Sequence, residues 1–246
     1  MKDRFSEHAR QYAAFRPRYP QTLYDFIFQH VATFDLSWDA GTGNGQAATS
    51  LASRFNKVHA TDISIKQLEN AVQMPNISFV EGGETTHLPD RSVDLITVAQ
   101  AIHWFDRMKF FKEANRVGKS GSVVAVWGYG LLKIDEIIDP LISEFYVSVV
   151  GPFWDTERKL IDQQYATIEF PFDEIPSPTF TMDVEWTLSE LEGYLTTWSA
   201  VQKYWKEVGE NPVPGLIAAL RLQWGSGNRS VRFPLFLRLG RIGTAY

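Results

Sequence analysis

Between residues 36 and 127 the chain repeats one unit, a short apolar run followed by a stretch of helical character, and no other feature limits its fold as strongly. Leu36–Ala40 reads as a strand and ends in the turn Gly41-Thr42-Gly43-Asn44-Gly45, with a helix over 46–55. A second strand over 57–61 ends at Asp62. A helix over 64–72 follows, where Ser64 and Gln67 have the spacing of a capping box. Strands are expected at 77–80, Val93–Ala99 and 123–127. The helix over 106–117 places Phe110, Ala114 and Val117 on one stripe. Strands that alternate with helices imply βαβ units, hence a mostly parallel sheet with helices on both faces.

The second half reads differently. A helix is expected over 131–150, an irregular insertion over 151–165 and a strand over 179–186. Thr187 and Glu190 form a further capping box, opening a helix with Leu188, Leu191, Leu195 and Trp198 on one face. Pro212 and Pro214 read as a break. Residues 231–239 alternate in strand fashion, yet Pro234 cannot donate to a ladder, so pairing is expected to start after it or to bulge there. Residues 131–210 hold 5 basic and 16 acidic residues and 211–246 hold 5 basic and none acidic, an asymmetry that points to no particular substrate. Residues 1–20 form an arm with Tyr12, Phe15 and Tyr19 among Arg10, Arg16 and Arg18, which reads as a lid or as a solvated face. A helix over 21–31 comes next. The whole chain of 246 residues is read as one domain: arm 1–20, cofactor-binding half 21–130, and a C-terminal half 131–246 with the acceptor-side elements.

Composition narrows the function classes. With 24 basic and 29 acidic residues the net charge is −5, against a generally nucleic-acid-coating protein. There is no cysteine, which excludes disulfides, thiolate zinc sites and cysteine nucleophiles. The histidines lack metal-ligand spacing, and no Gly-x-Ser-x-Gly nucleophile turn is present. No apolar run approaches the roughly 18–20 residues that span a bilayer, and the charged start MKDRFSEHAR has no signal-peptide core. A cytoplasmic protein is expected.

The chemistry gathers at the carboxyl ends of the first two strands. Residues without Cβ in the 41–45 turn let backbone approach a ligand closely. Asp62 stands 21 residues after Gly41 and can accept from both ribose hydroxyls of a nucleoside. A dinucleotide fingerprint would place a third glycine at Gln46, and the glycines here are 41, 43 and 45 with Asp39 ahead of them. A carboxylate at that place favours a ligand with a positive amino group. S-adenosylmethionine, with an amino group, a sulfonium, a ribose and no phosphate, fits this pattern best.

With these residues the chain resembles the class I S-adenosylmethionine-dependent methyltransferases, in the small-molecule branch called type 11. Asp39, Gly41, Gly43 and Gly45 match the family's first motif, and Asp62 its ribose-binding acid. Residues 83–89 (GETTHLP) look like its adenine-flanking loop and 99–105 (AQAIHWF) like its fourth-strand motif. The arm and the segments around Trp186 and Trp198 look like a subgroup containing trans-aconitate methyltransferase-like proteins. The resemblance implies a Rossmann-like α/β fold with a seven-stranded sheet whose last strand, 231–239, is antiparallel. The RVGKSG segment at 116–121 lacks the proline and glycine pair usual before the fifth strand.

The candidate cofactor contacts are therefore Tyr12, Arg16, Asp39, Gly41, Gly43, Gly45, Asp62, Ile63, Gly83, Glu84 and Gln100. His103 is the candidate catalytic residue, to orient the acceptor or take its proton. The expected reaction is direct in-line methyl transfer to a small molecule, a carboxylate among the candidates, with no metal, no membrane and no nucleic acid involved. The acceptor is expected between the arm and residues 131–210. An NAD(P)-dependent oxidoreductase and a non-catalytic S-adenosylmethionine-binding protein are the alternatives.

Overall fold

The computed structural model describes residues 15–243. Its first half follows the alternating pattern: α1 (Gln21–Phe28), β1 (Leu36–Ala40), α2 (Gln46–Leu51), β2 (Lys57–Asp62), α3 (Ile65–Glu69), β3 (Ile77–Glu81), β4 (Val93–Ala99), α4 (Arg107–Val117) and β5 (Gly118–Tyr129). The second half contributes α5 (Ile138–Glu144), α6 (Arg158–Asp162), β6 (Asp173–Ile175), β7 (Phe180–Trp186), α7 (Leu188–Thr196), α8 (Ser199–Val208), α9 (Val213–Trp224) and β8 (Arg229–Arg241).

The strands form one sheet in the order β3-β2-β1-β4-β5-β8-β6, with β7 also on β8. The pairs β1–β2, β1–β4, β2–β3 and β4–β5 are parallel, and β8 is antiparallel to β5, β6 and β7. The sheet therefore has eight strands where seven were expected. The 13-residue β8 is long enough for two partners in series, β7 along Arg229–Leu235 and β6 along Leu239–Arg241. The switch of strand order falls between β1 and β4, where open α/β sheets bind ligands at the carboxyl edge.

Both faces of the sheet are covered, which explains strands that are apolar throughout. Along β5, Val123, Ala125 and Trp127 enter one buried cluster with α1, α2, α7 and α9, while Val124 and Val126 enter the other with Phe110, Ala114 and Val117 of α4. Side-chain caps set the helix starts. Asp106 accepts from Lys109 N–H (3.2 Å), Ser64 from Gln67 N–H (3.3 Å), and Thr187 with Glu190 completes the expected capping box. Caps of this kind contribute about 1 kcal/mol each.

Prolines account for the main departures from the expected elements. Pro140 fits only a first helical turn, where its missing N–H has no partner, so α5 begins at Ile138 and not at 131. Pro214 likewise lies in the first turn of α9, so 212–214 opens a helix where a break was read. Pro234 sits inside a continuous β8. Its carbonyl accepts from Gly130 N–H (3.0 Å), so its nitrogen points to the same side, just past the end of β5, while β7 pairs on the other side. The one bond it cannot give, to Gly130 O, falls where β5 has already ended, so the cost is confined to the strand terminus.

The charge asymmetry of the second half is resolved by pairing. Arg229 bonds Asp135, Arg232 bonds Asp183 (2.7 Å) and Arg238 bonds Glu174 (2.7 Å), so β8 arginines meet the acids of 131–185. Among the described residues no helix is long and apolar enough to cross a membrane.

Candidate active site

The glycine turn joins β1 to α2 at the sheet's carboxyl edge. Gly41, Gly43 and Gly45 all have positive φ (69°, 57° and 81°), a conformation that side chains make costly. The three glycines differ in what surrounds them. A Cβ on Gly41 would lie 2.7 Å from Ala101 Cβ, and one on Gly45 would lie 2.8 Å from the Phe79 ring. One on Gly43 would meet nothing within 4 Å. Gly41 and Gly45 are thus glycines for packing, whereas Gly43 faces open space.

Asp39 lies directly beneath. It pairs in register with Thr97 of β4 and is fully buried. Its carboxylate accepts from Thr42 Oγ1 (2.5 Å) and Thr97 Oγ1 (2.6 Å), and from the Ala48 backbone. Burial outweighs these donors and pushes the Asp39 carboxyl up to about 6. At neutral pH it is a mostly ionised charge under the turn. Asp62 fastens the turn from the side: its Oδ2 accepts from Gly43 N–H (2.8 Å) and its Oδ1 from Ser64 N–H (2.9 Å). Thr42 N–H donates to Thr61 O (2.9 Å), a second tie to β2. The two aspartates stand on neighbouring strands with the open face of Gly43 beside them.

Ile63 and Gly83 meet across the β2 and β3 ends: a Cβ on Gly83 would lie 3.7 Å from Ile63 Cγ2. Glu84 is largely buried, and its Oε1 accepts from Asp106 N–H (3.2 Å) at the start of α4. Gln100 has φ 54°, a strained value for a side-chain-bearing residue, at the tip of β4. Its Oε1 accepts from Tyr129 N–H (2.9 Å), so the amide bridges β4 to β5, and its backbone N–H donates to Trp127 O (2.8 Å). Gln46 Nε2 donates to Pro17 O (3.0 Å), so the residue that replaces a dinucleotide's third glycine instead anchors the arm.

Beyond Gln100 opens a cleft lined by Arg16, His103, Trp104, Trp154, Asp155, Arg158, Ile161, Tyr194, Trp198 and Ser199. It lies between the described end of the arm and the 151–165 insertion. Arg16 Nη1 donates to Tyr129 Oη (2.6 Å), and its guanidinium lies 5.0 Å from the Tyr194 ring centre. Arg158 stacks on Trp154 (4.8 Å) and donates from Nε to Tyr146 Oη (2.8 Å). Asp155 is ion-paired to Lys203 (2.7 Å). The His103 ring is buried, with Nδ1 2.8 Å from Tyr165 Oη. Burial first, and then the Arg158 and Arg107 charges, push the His103 imidazole down to about 3. Tyr12 lies outside the described residues. Among those described, no group of three or more acids and histidines could hold a metal.

Sequence reading missed Arg158, Trp154, Asp155 and Tyr165, all in the stretch it took as irregular insertion. Tyr194 and Trp198 were expected in the core. They are buried there, and they also line the cleft. The available signal was a tryptophan and an arginine four residues apart in a segment with no other periodic pattern.

Fold and site define the class first: a Rossmann-like α/β protein with a nucleoside-binding strand edge carrying two aspartates and no phosphate-type glycine fingerprint. Residues 38–126 match the family model of the type 11 methyltransferase domain. A Dictyostelium discoideum protein described as a methyltransferase is 32% identical over 249 residues, covering 97% of this chain and 95% of its own. A Mycobacterium tuberculosis methyltransferase of uncharacterised activity is 32% identical over 190 residues, covering 72% and 76%. A solved structure described as a type II methyltransferase, from Anaeromyxobacter dehalogenans, superposes with a TM-score of 0.87 at 35% identity, over 94% of this chain and 100% of that one. The chain belongs to the S-adenosylmethionine-dependent methyltransferase family.

Proposed function

We propose that the protein methylates a small molecule on a carboxylate oxygen, by direct in-line transfer at the cleft beyond Gln100. The observation that carries this reading is the pair of guanidinium groups, Arg16 and Arg158, in a cleft whose one acid, Asp155, is paired to Lys203. Arginine suits carboxylate geometry and packs well against aromatic rings; Arg158 also pairs with Asp162 through Nε (3.6 Å), so an anion would be met by its other nitrogens.

The geometry supports the following assignment of roles. Asp39 supplies negative charge beneath the turn for the amino end of the cofactor. Asp62 takes the ribose hydroxyls while keeping Gly43 N–H. Ile63, Gly83 and Glu84 flank the adenine. The Gln100 carbonyl and Arg16 hold the methionine end, Tyr12 is assigned to the same cofactor, and Arg158 serves the acceptor. The 131–246 half supplies the acceptor side of the same domain. The bound cofactor supplies a methyl group made electrophilic by its sulfonium. What the protein adds is chiefly contact and alignment, and well-oriented reactions gain up to roughly 7–11 kcal/mol in this way.

The test is transfer of labelled methyl from S-adenosylmethionine to a panel of carboxylic acids and their amides. Base-labile ester label from the acids alone is expected. Base-stable label from amines or alcohols overturns the carboxylate reading. S-adenosylhomocysteine is expected to raise the melting temperature and NADH is not.

A further inference from the structure

Tyr165 is fully buried, and its hydroxyl meets one hydrogen-bond partner among the described residues, Nδ1 of His103 at 2.8 Å. The backbone is bent to bring it there. Gln164 and Tyr165 have φ of 54° and 57°, two successive left-handed residues that are not glycine. Arg238 of β8 clamps this turn by donating from Nη1 to Tyr165 O (3.0 Å) and to Ile168 O (2.5 Å). The Tyr165 ring packs edge-on against Phe236 (centres 5.0 Å apart). A strained turn so well braced marks a side chain whose direction matters.

The hydrogen between Tyr165 and His103 can sit on either partner, and burial decides which. If Nδ1–H donates to the phenol, the phenolic hydrogen is left buried with no acceptor. If the phenol donates to Nδ1, the phenol and Nδ1 are both satisfied, and the imidazole hydrogen goes to Nε2 of a ring that lines the cleft. A phenol is the stronger donor and a neutral imidazole nitrogen the stronger acceptor. We infer that Tyr165 is a positioning residue whose phenol donates to His103 Nδ1 and fixes the tautomer with hydrogen on Nε2, which makes His103 a hydrogen-bond donor to the anionic oxygen of the methyl acceptor. The tautomer is a property of the free protein; the identity of its ligand rests on the carboxylate reading above.

The surrounding charges agree with a donor role. Burial first, and then the Arg158 and Arg107 charges, keep the ring neutral, Arg16 lines the same cleft, and the one acid there, Asp155, is paired to Lys203. The cleft thus sets positive charge from Arg158 and Arg16 around the N–H of His103. In the transfer, the carboxylate oxygen forms the new C–O bond as the methyl–sulfur bond breaks and its electron pair goes to sulfur. No proton is released, so the reaction needs no base and His103 is free to orient.

The test is 15N NMR of the protein labelled at histidine, with the His103 signals assigned from His103→Gln. Nδ1 is expected in the unprotonated range and Nε2 in the protonated range, both unchanged from pH 5.5 to 8.5. A protonated Nδ1 overturns the inference. Benzoate serves as the acceptor probe, because Trp154, Trp198 and Tyr194 make the cleft aromatic, with benzamide as its neutral match. Tyr165→Phe is expected to mix the two tautomers and weaken benzoate binding about 5–10-fold, the scale of one lost hydrogen bond, with S-adenosylhomocysteine affinity within about twofold. Should Tyr165→Phe fail to fold, His103→Gln, whose amide can donate from near the Nε2 position, retains benzoate binding and His103→Leu loses it. Equal binding by His103→Leu and the parent, or equal binding of benzamide and benzoate, overturns the donor role. A normal tautomer with no S-adenosylhomocysteine binding sinks the methyltransferase reading instead, so the two failures are told apart.

Discussion

The glycine-turn flank and the cleft flank of the same strand edge are held by contacts of different range. On the first, Thr42 reaches Asp39 three residues away and Gly43 reaches Asp62 nineteen away, with Thr97 the farthest partner at 58. On the second, His103 and Tyr165 are 62 residues apart and Arg16 and Tyr129 are 113 apart. The turn is fixed by strand register and short hydrogen bonds. The cleft exists only once the arm, the insertion and β8 have all docked. The turn flank should therefore be intolerant of added atoms at its packed glycines, Gly41 and Gly45, and the cleft flank adjustable.

The hardest blow to the turn is Gly41→Val. It places a branched side chain at φ 69° and 2.7 Å from Ala101 Cβ. Strain and overpacking each cost about 1–3 kcal/mol, so a melting-temperature loss of about 10 °C is expected by calorimetry. Gly43→Ala meets open space and should cost only about 1 kcal/mol of stability while weakening S-adenosylhomocysteine binding about tenfold. Equal stability losses for the two variants would break the distinction between packing and ligand-facing glycines.

Asp39→Asn is next. The folded-state value of about 6 lies above the ordinary 3.8. The native state therefore binds more protons than the unfolded state between about pH 4 and 6. Stability from this group is greatest at low pH and falls as pH rises through about 6. Wild type should lose about 2–3 kcal/mol relative to Asp39→Asn between pH 4 and 7, read by urea titrations of both. Asp94 and Glu113, held below their usual range mainly by Lys119, Thr33 and Arg116 contacts, have the opposite slope, and they cancel in the difference. A difference independent of pH would place Asp39 in a wetter setting.

Asp62→Ala removes a carboxylate that ties Gly43 and that the proposed function assigns to the ribose. A loss of about 1–3 kcal/mol in S-adenosylhomocysteine binding is expected by calorimetric titration. An unchanged dissociation constant would leave Asp62 a structural tie only.

The same difference of range explains what could be read in the sequence. Asp39, the glycines and Asp62 were legible because a strand end, a turn and a second strand end fix their relative places. Phe110, Ala114 and Val117 were legible from helical spacing. Arg158 and Tyr165 were not, since the 151–165 segment has no period and Tyr165 is turned inward by an arginine from β8, 73 residues later. The acidic 131–210 and basic 211–246 stretches suggested surface patches, and the fold makes them partners across β7, β6 and β8. Pro140 and Pro214 did carry a signal, a helix start, that a reading of proline as a break discarded.

The smallest expected effect is an absence, and it separates the flanks most sharply. Asp39 titrates near 6, so cofactor binding should weaken as pH falls below about 6 and the charge beneath the turn is lost. His103 is pushed down to about 3 by burial and by Arg158 and Arg107, so it stays neutral through the working range. A carboxylate acceptor is itself ionised above about pH 5. With both substrates saturating, kcat should then be flat from pH 6.5 to 8.5, and the apparent affinity for S-adenosylmethionine should be the quantity that moves at the acid end. Asp39→Asn should abolish that movement and leave the flat kcat untouched. A kcat that rises through pH 7 in the wild type would mean that a base on the cleft flank takes a proton from the acceptor, and the assignment of an anionic acceptor would fall with it.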